Sequence, residues 1–325
     1  MASRAGPPRE LGRLQLGRLL GRGGMGEVYA AYDPHLKRSV AVKLLGHHNP
    51  EDVSRFIREA QAQAAQSHPD VCPVYEAGET AGTPYIVMKL VDGVPLDEAT
   101  RDWTLERKLG ILRRIAETIH SAHRTGLIHR DLKPGNLLVE QAADGEAKPY
   151  VLDFGLACSV AEGGAAADEE VIGTPAYMAP EQVRGDRHAL DRRTDVYALG
   201  ATLYHLLAGS PPFAQPGTST LEAALRAIAA EDPPPLRTFG VPADVEAIVF
   251  KCLEKEPERR YRSAQALAED LGRYLDDVPI AARSHGRVYR FWKWTRRNRA
   301  LVRVGAVLGS LLLAALVWVP CHVVA

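Results

Sequence analysis

Two short stretches hold the polar residues that are most able to do chemistry. The first reads "HRDLKPGN" and contains Asp131, Lys133 and Asn136, and the second reads "DFG" and contains Asp153. Two carboxylates, an amide and an ammonium group can together hold a divalent cation and neutralise a highly charged anion. This set favours transfer of a phosphoryl group, a reaction that needs positioning and charge neutralisation more than covalent help.

A glycine-rich stretch lies upstream. Gly21, Gly23 and Gly26 have the spacing G-x-G-x-x-G, which on its own also occurs in dinucleotide-binding folds. Here the following residues continue into a second strand, which predicts a β-hairpin whose backbone N–H groups can approach phosphate oxygens. Lys43 follows on the strand "VAVK" and is expected to neutralise phosphate charge. Glu59, on the next amphipathic helix, is the carboxylate expected to hold that lysine in place.

The elements around these residues change from strands to helices along the chain. Alternating stretches before Gly93 predict strands, together with one helix at 50–67. After Gly93, apolar residues at helical spacing predict helices at 104–126, 195–208, 221–230, 245–255 and 264–275. A strand-rich front joined to a helical back predicts an α+β fold in two lobes. A nicotinamide dehydrogenase is excluded because no βαβ unit surrounds the glycines.

The composition narrows the class of protein. Lysine plus arginine equals aspartate plus glutamate at 40 each, so the net charge does not indicate a nucleic-acid partner. The four cysteines lie far apart and form no CxxC pair. This argues against a zinc site or a disulfide framework and fits a reducing compartment.

The C-terminal part has a different character. Residues 304–319 form an apolar run, and the stretch "RVYRFWKWTRRNRA" before it mixes basic and aromatic side chains. About 20 apolar residues cross a bilayer, and such a mixture is typical of a membrane interface. We therefore predict a juxtamembrane segment at 279–300 and a transmembrane helix at 301–323. The excess of basic residues places the N-terminal part in the cytoplasm of a single-pass cell-membrane protein and favours contact with anionic lipid.

From Leu16 to about Leu275 the chain resembles the eukaryotic-like bacterial Ser/Thr protein kinases, in particular their membrane-anchored group. The resemblance rests on full matches to H-R-D-L-x-x-x-N and D-F-G, in that order, and on "GTPAYMAPE", which is similar to the family's substrate-docking segment. It implies protein substrates that are phosphorylated on serine or threonine, and autophosphorylation. A homodimer formed through the N-lobe or the anchor is also compatible with it.

The same resemblance implies the domain organisation. Residues 1–13 would be a flexible N-terminus, followed by a bilobal kinase domain at 14–278. This domain would divide into an N-lobe at 14–90, rich in β-structure, and a helical C-lobe at 91–278, with ATP bound between them.

The resemblance also gives each candidate residue a role. Asp131 would accept or orient the hydroxyl proton of the substrate, and Lys133 would steady the γ-phosphate. Asn136 and Asp153 would hold Mg²⁺, with Mn²⁺ as an alternative ion. Met88 takes the gatekeeper position beside the adenine. The other residues expected to contact ATP are Leu20, Gly21, Arg22, Gly23, Gly24, Met25, Gly26, Val28, Ala41, Lys43, Lys89, Val91 and Leu138.

Two further family positions are structural. Asp195 in "DVYALG" is expected to support the catalytic loop, and Arg260 in "PERRY" is expected to pair with Glu181. Two departures concern the helix after Glu59. Gln63 and Gln66 occur where the family generally buries small or aliphatic side chains. A polar amide there needs a partner or an exposed position, so this helix is expected to dock loosely.

A third departure lies in "AAADEEVIGTPAYMAPE", which has no threonine before Thr174. Asp168 occurs about where the family has an autophosphorylated threonine, and Arg130 would clasp that phosphate. Either Asp168, Glu169 or Glu170 partly replaces the phosphate, or the three acids are only solvated. Asp168→Ala separates the two interpretations. It lowers the activity of phosphatase-treated protein in the first and leaves it unchanged in the second.

Two other functions compete with an active kinase. A membrane-anchored pseudokinase, which would bind nucleotide as a scaffold, is kept open by the two glutamines and the missing threonine. The presence of every catalytic residue counts against it. A small-molecule kinase of similar fold is disfavoured by the peptide-docking segment.

Overall fold

The computed structural model describes residues 10–23, 26–46, 50–141, 145–154, 175–186, 189–213 and 220–283, without the side chains of 50–52, 55 and 59. Residues 284–300 of the predicted juxtamembrane segment, the predicted membrane helix and the acidic stretch 168–170 lie outside the described residues, while residues 279–283 are described and Ile280 packs into the C-lobe core. Within the described ranges, no helix has both the length and the apolar character needed to cross a membrane.

A six-stranded antiparallel sheet forms the N-lobe. Its strands lie side by side in the order β1-β2-β3-β4-β6-β5. Their ranges are β1 Glu10–Leu11, β2 Leu14–Gly23, β3 Gly26–Asp33, β4 Arg38–Leu45, β5 Val74–Thr80 and β6 Thr83–Lys89. The central strand β4 is buried on both faces, because Val40 and Val42 pack into one apolar cluster and Ala41 into another. This explains why its sequence reads as a continuous apolar run.

The sheet begins earlier than predicted. Residues 1–13 were expected to be flexible, but Glu10 and Leu11 form strand β1, which pairs with β2. The reason is packing, since Leu11 is 5% exposed within the N-lobe apolar cluster. Arg13 adds ion pairs with Asp33 and Glu76. A two-residue strand is too short to show an alternating pattern in the sequence.

One helix covers the second face of the sheet. Helix α1, Pro50–Ala64, buries Phe56 and Ala60 against Ile86 and Met88. It ends three residues before the predicted end of the helix at 67. The loop that follows is tied to the C-lobe, because Arg114 donates two hydrogen bonds to the carboxylate of Asp70, at 2.6 and 2.8 Å.

The C-lobe combines a small antiparallel sheet with seven helices among the described residues. The sheet order is β7-β8-β9, formed by β7 Val94–Pro95, β8 Leu137–Gln141 and β9 Ala147–Val151. The helices are α2 Leu96–Thr100, α3 Leu105–Arg124, α4 Pro180–Val183, α5 Arg192–Ala208, α6 Leu221–Ala230, α7 Ala243–Cys252 and α8 Ala264–Leu275. The α+β fold with a β-rich N-lobe and a helical C-lobe is therefore confirmed.

The ends of these helices follow from local chemistry. The hydroxyls of Thr220 and Ser263 accept hydrogen bonds from backbone N–H groups three residues later, so α6 and α8 begin where predicted. The carboxylate of Asp191 caps α5 by accepting from Arg193 N, so the helix begins at Arg192, three residues before its predicted start. Gly209 ends α5 with a φ of +78°, a conformation that glycine adopts without strain.

Helix α5 forms the centre of the C-lobe core. Most of its residues are buried, among them Tyr197, Leu199 and Leu203. It approaches α7 closely, because a Cβ added at Gly200 would lie 2.3 Å from the Cβ of Cys252. Only a residue without a side chain fits at this crossing.

We expect Gly200→Ala to lower the free energy of unfolding by about 1–3 kcal/mol, the usual cost of overpacking a core. The matched control is Gly110→Ala in helix α3, where an added Cβ meets nothing within 4 Å. Alanine there should stabilise the protein by up to about 1 kcal/mol through helix propensity. Urea denaturation of both variants measures the difference. Equal stability of the two would contradict the close packing of α5 on α7.

Candidate active site

The loop before β8 brings the three predicted catalytic-loop residues together. The amide nitrogen of Asn136 donates to the backbone oxygen of Asp131 at 2.7 Å and to its Oδ2 at 2.8 Å. The Nζ of Lys133 lies 3.0 Å from the same Oδ2. Two donors therefore fix the carboxylate of Asp131, and both use one of its two oxygens.

A buried carboxylate supports this loop from below. Oδ1 of Asp195 accepts from the backbone N–H of Arg130 at 2.8 Å, and Oδ2 accepts from that of His129, also at 2.8 Å. The ring of His123 lies 2.7 Å from Oδ2. Burial alone would raise the pKa of Asp195, but the His123 hydrogen bond and the backbone donor outweigh it and lower the pKa. The predicted support by Asp195 is confirmed.

The loop needs this support because its backbone is strained. Arg130 has a φ of +65°, in the left-handed region that side chains other than glycine rarely adopt. Such a conformation persists only where the surroundings over-determine it. The two hydrogen bonds of Asp195 to adjacent N–H groups supply part of that constraint. The side-chain amide of Gln182 adds another, because it donates to the carbonyl of Arg130 at 2.8 Å.

His129 joins the catalytic loop to the segment that carries Asp153. Its Nε2 lies 2.7 Å from the carbonyl of Leu152, and its Nδ1 accepts from the N–H of Asp131 at 3.3 Å. A ring that donates from Nε2 and accepts at Nδ1 is the neutral tautomer. The ring also packs on that of Phe154, with centroids 4.8 Å apart.

Lys43 and Asp153 form an ion pair at the junction of the two lobes. The Nζ of Lys43 lies 2.8 Å from Oδ2 of Asp153. Strand pairing places Lys43 opposite Val28, below the glycine-rich hairpin. The predicted partner of Lys43 was Glu59; residue 59 lies on α1, but its side chain is outside the described residues, so that pairing stays a prediction. Sequence reasoning did not assign Asp153 as a partner of the lysine.

The glycine-rich hairpin is formed by β2 and β3, which pair up to Gly23 and Gly26. Gly26 is required by the backbone itself, because its φ is +141° and an added Cβ would lie 1.9 Å from the carbonyl oxygen of Leu44. A Cβ at Gly21 or Gly23 would meet nothing within 4 Å. These two glycines therefore leave the hairpin open to a ligand, which fits a phosphate group.

The remaining residues predicted to contact ATP divide into three groups. Ala41, Met88, Val28 and Val91 belong to one apolar cluster of the N-lobe, and Leu138 lies half-buried on β8. Leu20 and Arg22 are exposed on β2, where Arg22 forms an ion pair with Glu27. Gly24 and Met25 lie outside the described residues.

Lys89 follows the gatekeeper, but its side chain turns away from the apolar cluster. Its ammonium group contacts the hydroxyl of Tyr150 and lies 3.5 Å from Oε1 of Glu140. The backbone N–H of Lys89 donates to the carbonyl of Pro73 at 2.9 Å. An effect of residue 89 on nucleotide through its backbone is compatible with this orientation.

The donor set fits Mg²⁺. The amide nitrogen of Asn136 is engaged with Asp131, and this leaves its side-chain oxygen as the ligand atom. The backbone oxygen of Asn136 accepts from the N–H of Leu152 at 2.9 Å, so the segment that carries Asp153 adjoins it. Mg²⁺ is usually bound by one or two carboxylates together with phosphate oxygens rather than by a complete protein cage. A carboxylate and an amide oxygen on adjoining segments meet that requirement.

A cavity of about 450 Å³ opens beside the catalytic loop. Lys133, Tyr177 and the acidic residues Asp97 and Glu98 are among the residues that line it. It lies between α2 and the segment "PAY" at 175–177, which belongs to the predicted docking segment. An extended peptide bound there would reach Lys133.

The docking segment is held by a buried ion pair. Arg260 donates two hydrogen bonds to the carboxylate of Glu181, each of 2.7 Å, and both side chains are almost completely buried. Thr194 donates a third to Glu181 at 3.0 Å. The predicted pairing of Arg260 with Glu181 is confirmed.

The expectation that helix α1 docks loosely is wrong for Gln63. This side chain is 5% exposed, and its amide hydrogen-bonds to Cys72 and Phe154. Gln66 reaches the hydroxyl of Thr125 at 2.9 Å. Sequence reasoning also missed His123 and Gln182, whose functional contacts are with distant residues that no local pattern reveals.

Fold and site together are those of a protein kinase, and the similarity of the chain to known proteins agrees with this. A family model described as protein kinase domain matches residues 14–271. The chain therefore belongs to the protein kinase family. Its curated relatives place it with the eukaryotic-like bacterial Ser/Thr kinases.

Two of these relatives are the serine/threonine-protein kinase PknB of Mycobacterium tuberculosis and a probable serine/threonine-protein kinase, SCO3848, of Streptomyces coelicolor. The chain is 41% identical to the first over 283 residues and 39% identical to the second over 294 residues. These alignments cover 83% and 85% of the chain but only 44% and 42% of the relatives. The chain thus spans less than half of the length of these proteins.

Solved structures show the same fold. The kinase domain of Mycobacterium tuberculosis PknI aligns with a TM-score of 0.63 at 28% identity, over 84% of this chain and 98% of that domain. Residues 1–466 of Rad53 in complex with AMP-PNP align with a TM-score of 0.63 at 25% identity, over 79% of this chain and 64% of that one.

Asp195 generates a pH-dependent prediction. Its folded-state pKa is lowered, so the stability it contributes is fully present above its unfolded pKa of about 3.9 and is lost as the pH falls through the folded pKa. We expect Asp195→Asn to cost about 3 kcal/mol at neutral pH, since it removes a buried charge from its donors. The difference from the wild type should shrink below about pH 4.

Denaturation curves at several pH values test this expectation. The exposed Asp102→Asn is the matched control, because it removes the same charge from the surface. A stability difference for Asp195→Asn that stays constant into the acid range would contradict the role given to the ionised carboxylate.

Proposed function

We propose that the protein is a membrane-tethered kinase that transfers the γ-phosphate of Mg-ATP to serine or threonine in protein substrates, itself included. The observation that carries the proposal is the arrangement of the two acidic residues. Asp131 is oriented by Lys133 and Asn136, while Asp153 is paired with Lys43 across the lobes. Phosphoryl transfer requires this combination of a positioned base and separate charge-neutralising groups.

Each of the candidate site residues has a separate role in the proposed phosphoryl transfer. When bound, Mg-ATP supplies the phosphoryl group and neutralises part of its negative charge. Asp131 accepts or orients the proton of the acceptor hydroxyl, and Lys133 stabilises the charge that develops on the transferred group. Asn136 and Asp153 provide the oxygen ligands for the metal, with Mn²⁺ as an alternative ion. Lys43 offsets phosphate charge from the N-lobe side.

The acceptor is proposed to be a polypeptide hydroxyl. The cavity beside Lys133 opens next to the docking segment, and the Glu181–Arg260 pair fixes the end of this segment. A rigid platform at this point suits an extended peptide better than a small metabolite. The names of the PknB relatives support serine or threonine as the acceptor residue.

The membrane tether rests on the sequence of residues 279–323. The last described residues are fixed to the C-lobe, because Asp270 accepts hydrogen bonds from the N–H groups of Ala281 and Ala282. A basic segment and then an apolar run follow this point. This order favours a kinase domain held in the cytoplasm close to an anionic lipid surface.

The first test is phosphate transfer from labelled Mg-ATP to the chain itself and to a generic protein acceptor. We expect transfer to serine or threonine by the full chain, and a loss of at least about 100-fold in Asp131→Asn, which removes the positioned base. Binding of AMP-PNP should persist in that variant. Asp102→Asn, the exposed control, should be as active as the wild type.

Other outcomes of this test would change the conclusion. Phosphotyrosine as the main product would contradict the acceptor type. Nucleotide binding without any transfer would favour the scaffold of the pseudokinase type over an enzyme.

The anchor is tested by membrane extraction of the full chain. We expect the wild type to stay in the bilayer fraction after an alkaline carbonate wash. Leu312→Arg should release part of it, because a cation in the centre of a span costs about 2.5–3.5 kcal/mol. Leu36→Arg is the matched control, since Leu36 is 59% exposed on the N-lobe. Complete release of the wild type would contradict the proposed span.

A further inference from the structure

Gln63 is a buried polar residue on the inner face of helix α1. Only 5% of it is exposed, although its neighbours on the helix, Gln61 and Ala64, face solvent. A buried primary amide is costly unless its donors and acceptor are satisfied. Its presence here indicates that it makes specific contacts.

The two ends of this amide contact two different backbone segments. Nε2 donates to the carbonyl of Cys72 at 2.9 Å, and Oε1 accepts from the N–H of Phe154 at 3.2 Å. The orientation of the amide is defined, because a carbonyl needs a donor and an N–H needs an acceptor. An aliphatic side chain could make neither bond.

The Cys72 end is a fixed point. The N–H of Cys72 donates to the carbonyl of Val151 at 2.9 Å, and the N–H of Val151 donates to the carbonyl of Asp70 at 2.8 Å. Asp70 is in turn held by the guanidinium of Arg114. The donor end of Gln63 therefore contacts a segment that is already tied to the C-lobe.

The hydrogen bond between Gln63 and the N–H of Phe154 affects the orientation of Asp153, the proposed metal ligand. The peptide group that joins Asp153 to Phe154 carries this N–H, so its orientation is coupled to the backbone angles of Asp153. Asp153 has a φ of +54°, which a residue with a side chain adopts only under constraint. Fixing the peptide that follows Asp153 helps to keep its carboxylate beside Lys43.

We propose that Gln63 is a positioning residue for phosphoryl transfer, which couples helix α1 to the metal-binding conformation of Asp153 through the N–H of Phe154. This role rests on the proposed kinase function. In this role, the side-chain amide of Gln63 links the position of helix α1 to the conformation of Asp153 through a hydrogen bond. An aliphatic residue at this position could link them through packing alone.

The test compares Gln63→Met with Gln61→Met. Methionine is unbranched and similar in length to glutamine, but it cannot make the two amide hydrogen bonds. Gln61 lies two residues away on the exposed side of the same helix. The measured quantity is the ratio of the Kd of AMP-PNP in EDTA to that in saturating Mg²⁺, determined on the full chain.

We expect Gln63→Met to reduce this ratio roughly tenfold. The reason is that the buried N–H of Phe154 loses its acceptor, so that Asp153, the proposed metal ligand, is held less firmly. Affinity in EDTA should change little, and kcat should fall more than KM for a peptide substrate rises. Gln61→Met should behave as the wild type. A ratio in Gln63→Met equal to that of the wild type would overturn the proposal.

Hydrogen exchange provides a measurement that does not depend on the folding of the variant. In the wild-type chain, the backbone amide proton of Phe154 should exchange more slowly than that of an unstructured amide. If it exchanged as fast as an unstructured amide, the proposal would be overturned. The binding ratio also separates two failures. If nucleotide bound but no phosphate were transferred, the proposed enzyme activity would be refuted, while the ratio of Kd values would still decide the role of Gln63. If no nucleotide bound, both the proposed function and the role of Gln63 would be overturned.

Discussion

The catalytic loop depends on one buried carboxylate. Asp195 lies at the start of α5 inside the C-lobe core, and it accepts hydrogen bonds from two successive N–H groups of the loop. Those N–H groups cannot join a helix or a strand, because the backbone at Arg130 is left-handed. Without an acceptor, the N–H of His129 would be a buried unpaired donor with a cost of about 1–3 kcal/mol. The position of Asp131 thus follows from the packing of α5.

The same turn of α5 also holds the docking segment. Thr194 donates to Glu181, while its neighbour Asp195 accepts from the catalytic loop. Glu181 and Arg260 form a buried pair, and such a pair is stable only when its remaining donors find partners. Arg260 meets this condition through the carbonyls of Arg193, Glu254 and Lys255. One rigid helix therefore sets the distance between Asp131 and the surface proposed to bind the substrate.

The sequence was sufficient for the features that are local. Asp131, Lys133 and Asn136 lie within six residues of one another, so their proximity could be predicted from the motif. Helices α6 and α8 matched their predicted ranges because Thr220 and Ser263 mark their first turns. The strands of the C-lobe sheet were missed, since β7 has two residues and β8 and β9 five each.

The contacts between distant residues could not be predicted in this way. Gln63 and Phe154 are 91 residues apart, and the glutamine was recognised only as a departure from the family pattern. Its interpretation as a sign of loose docking was wrong, because the sequence does not show which backbone groups need a partner. A periodic pattern reports which face of a helix is buried. It does not report whether a polar residue on that face meets an N–H or a carbonyl.

The segment from Leu152 to Phe154 shows what these distant contacts achieve together. The carbonyl of Leu152 contacts His129, the carboxylate of Asp153 contacts Lys43, and the N–H of Phe154 contacts Gln63. Three successive residues are thus held by three separate elements: the catalytic loop, a strand of the N-lobe and helix α1. A left-handed aspartate requires such constraint from its surroundings. Because two of the three elements belong to the N-lobe, the geometry of Asp153, the proposed metal ligand, is tied to the relative position of the lobes. A shift of either lobe must strain or break one of these contacts.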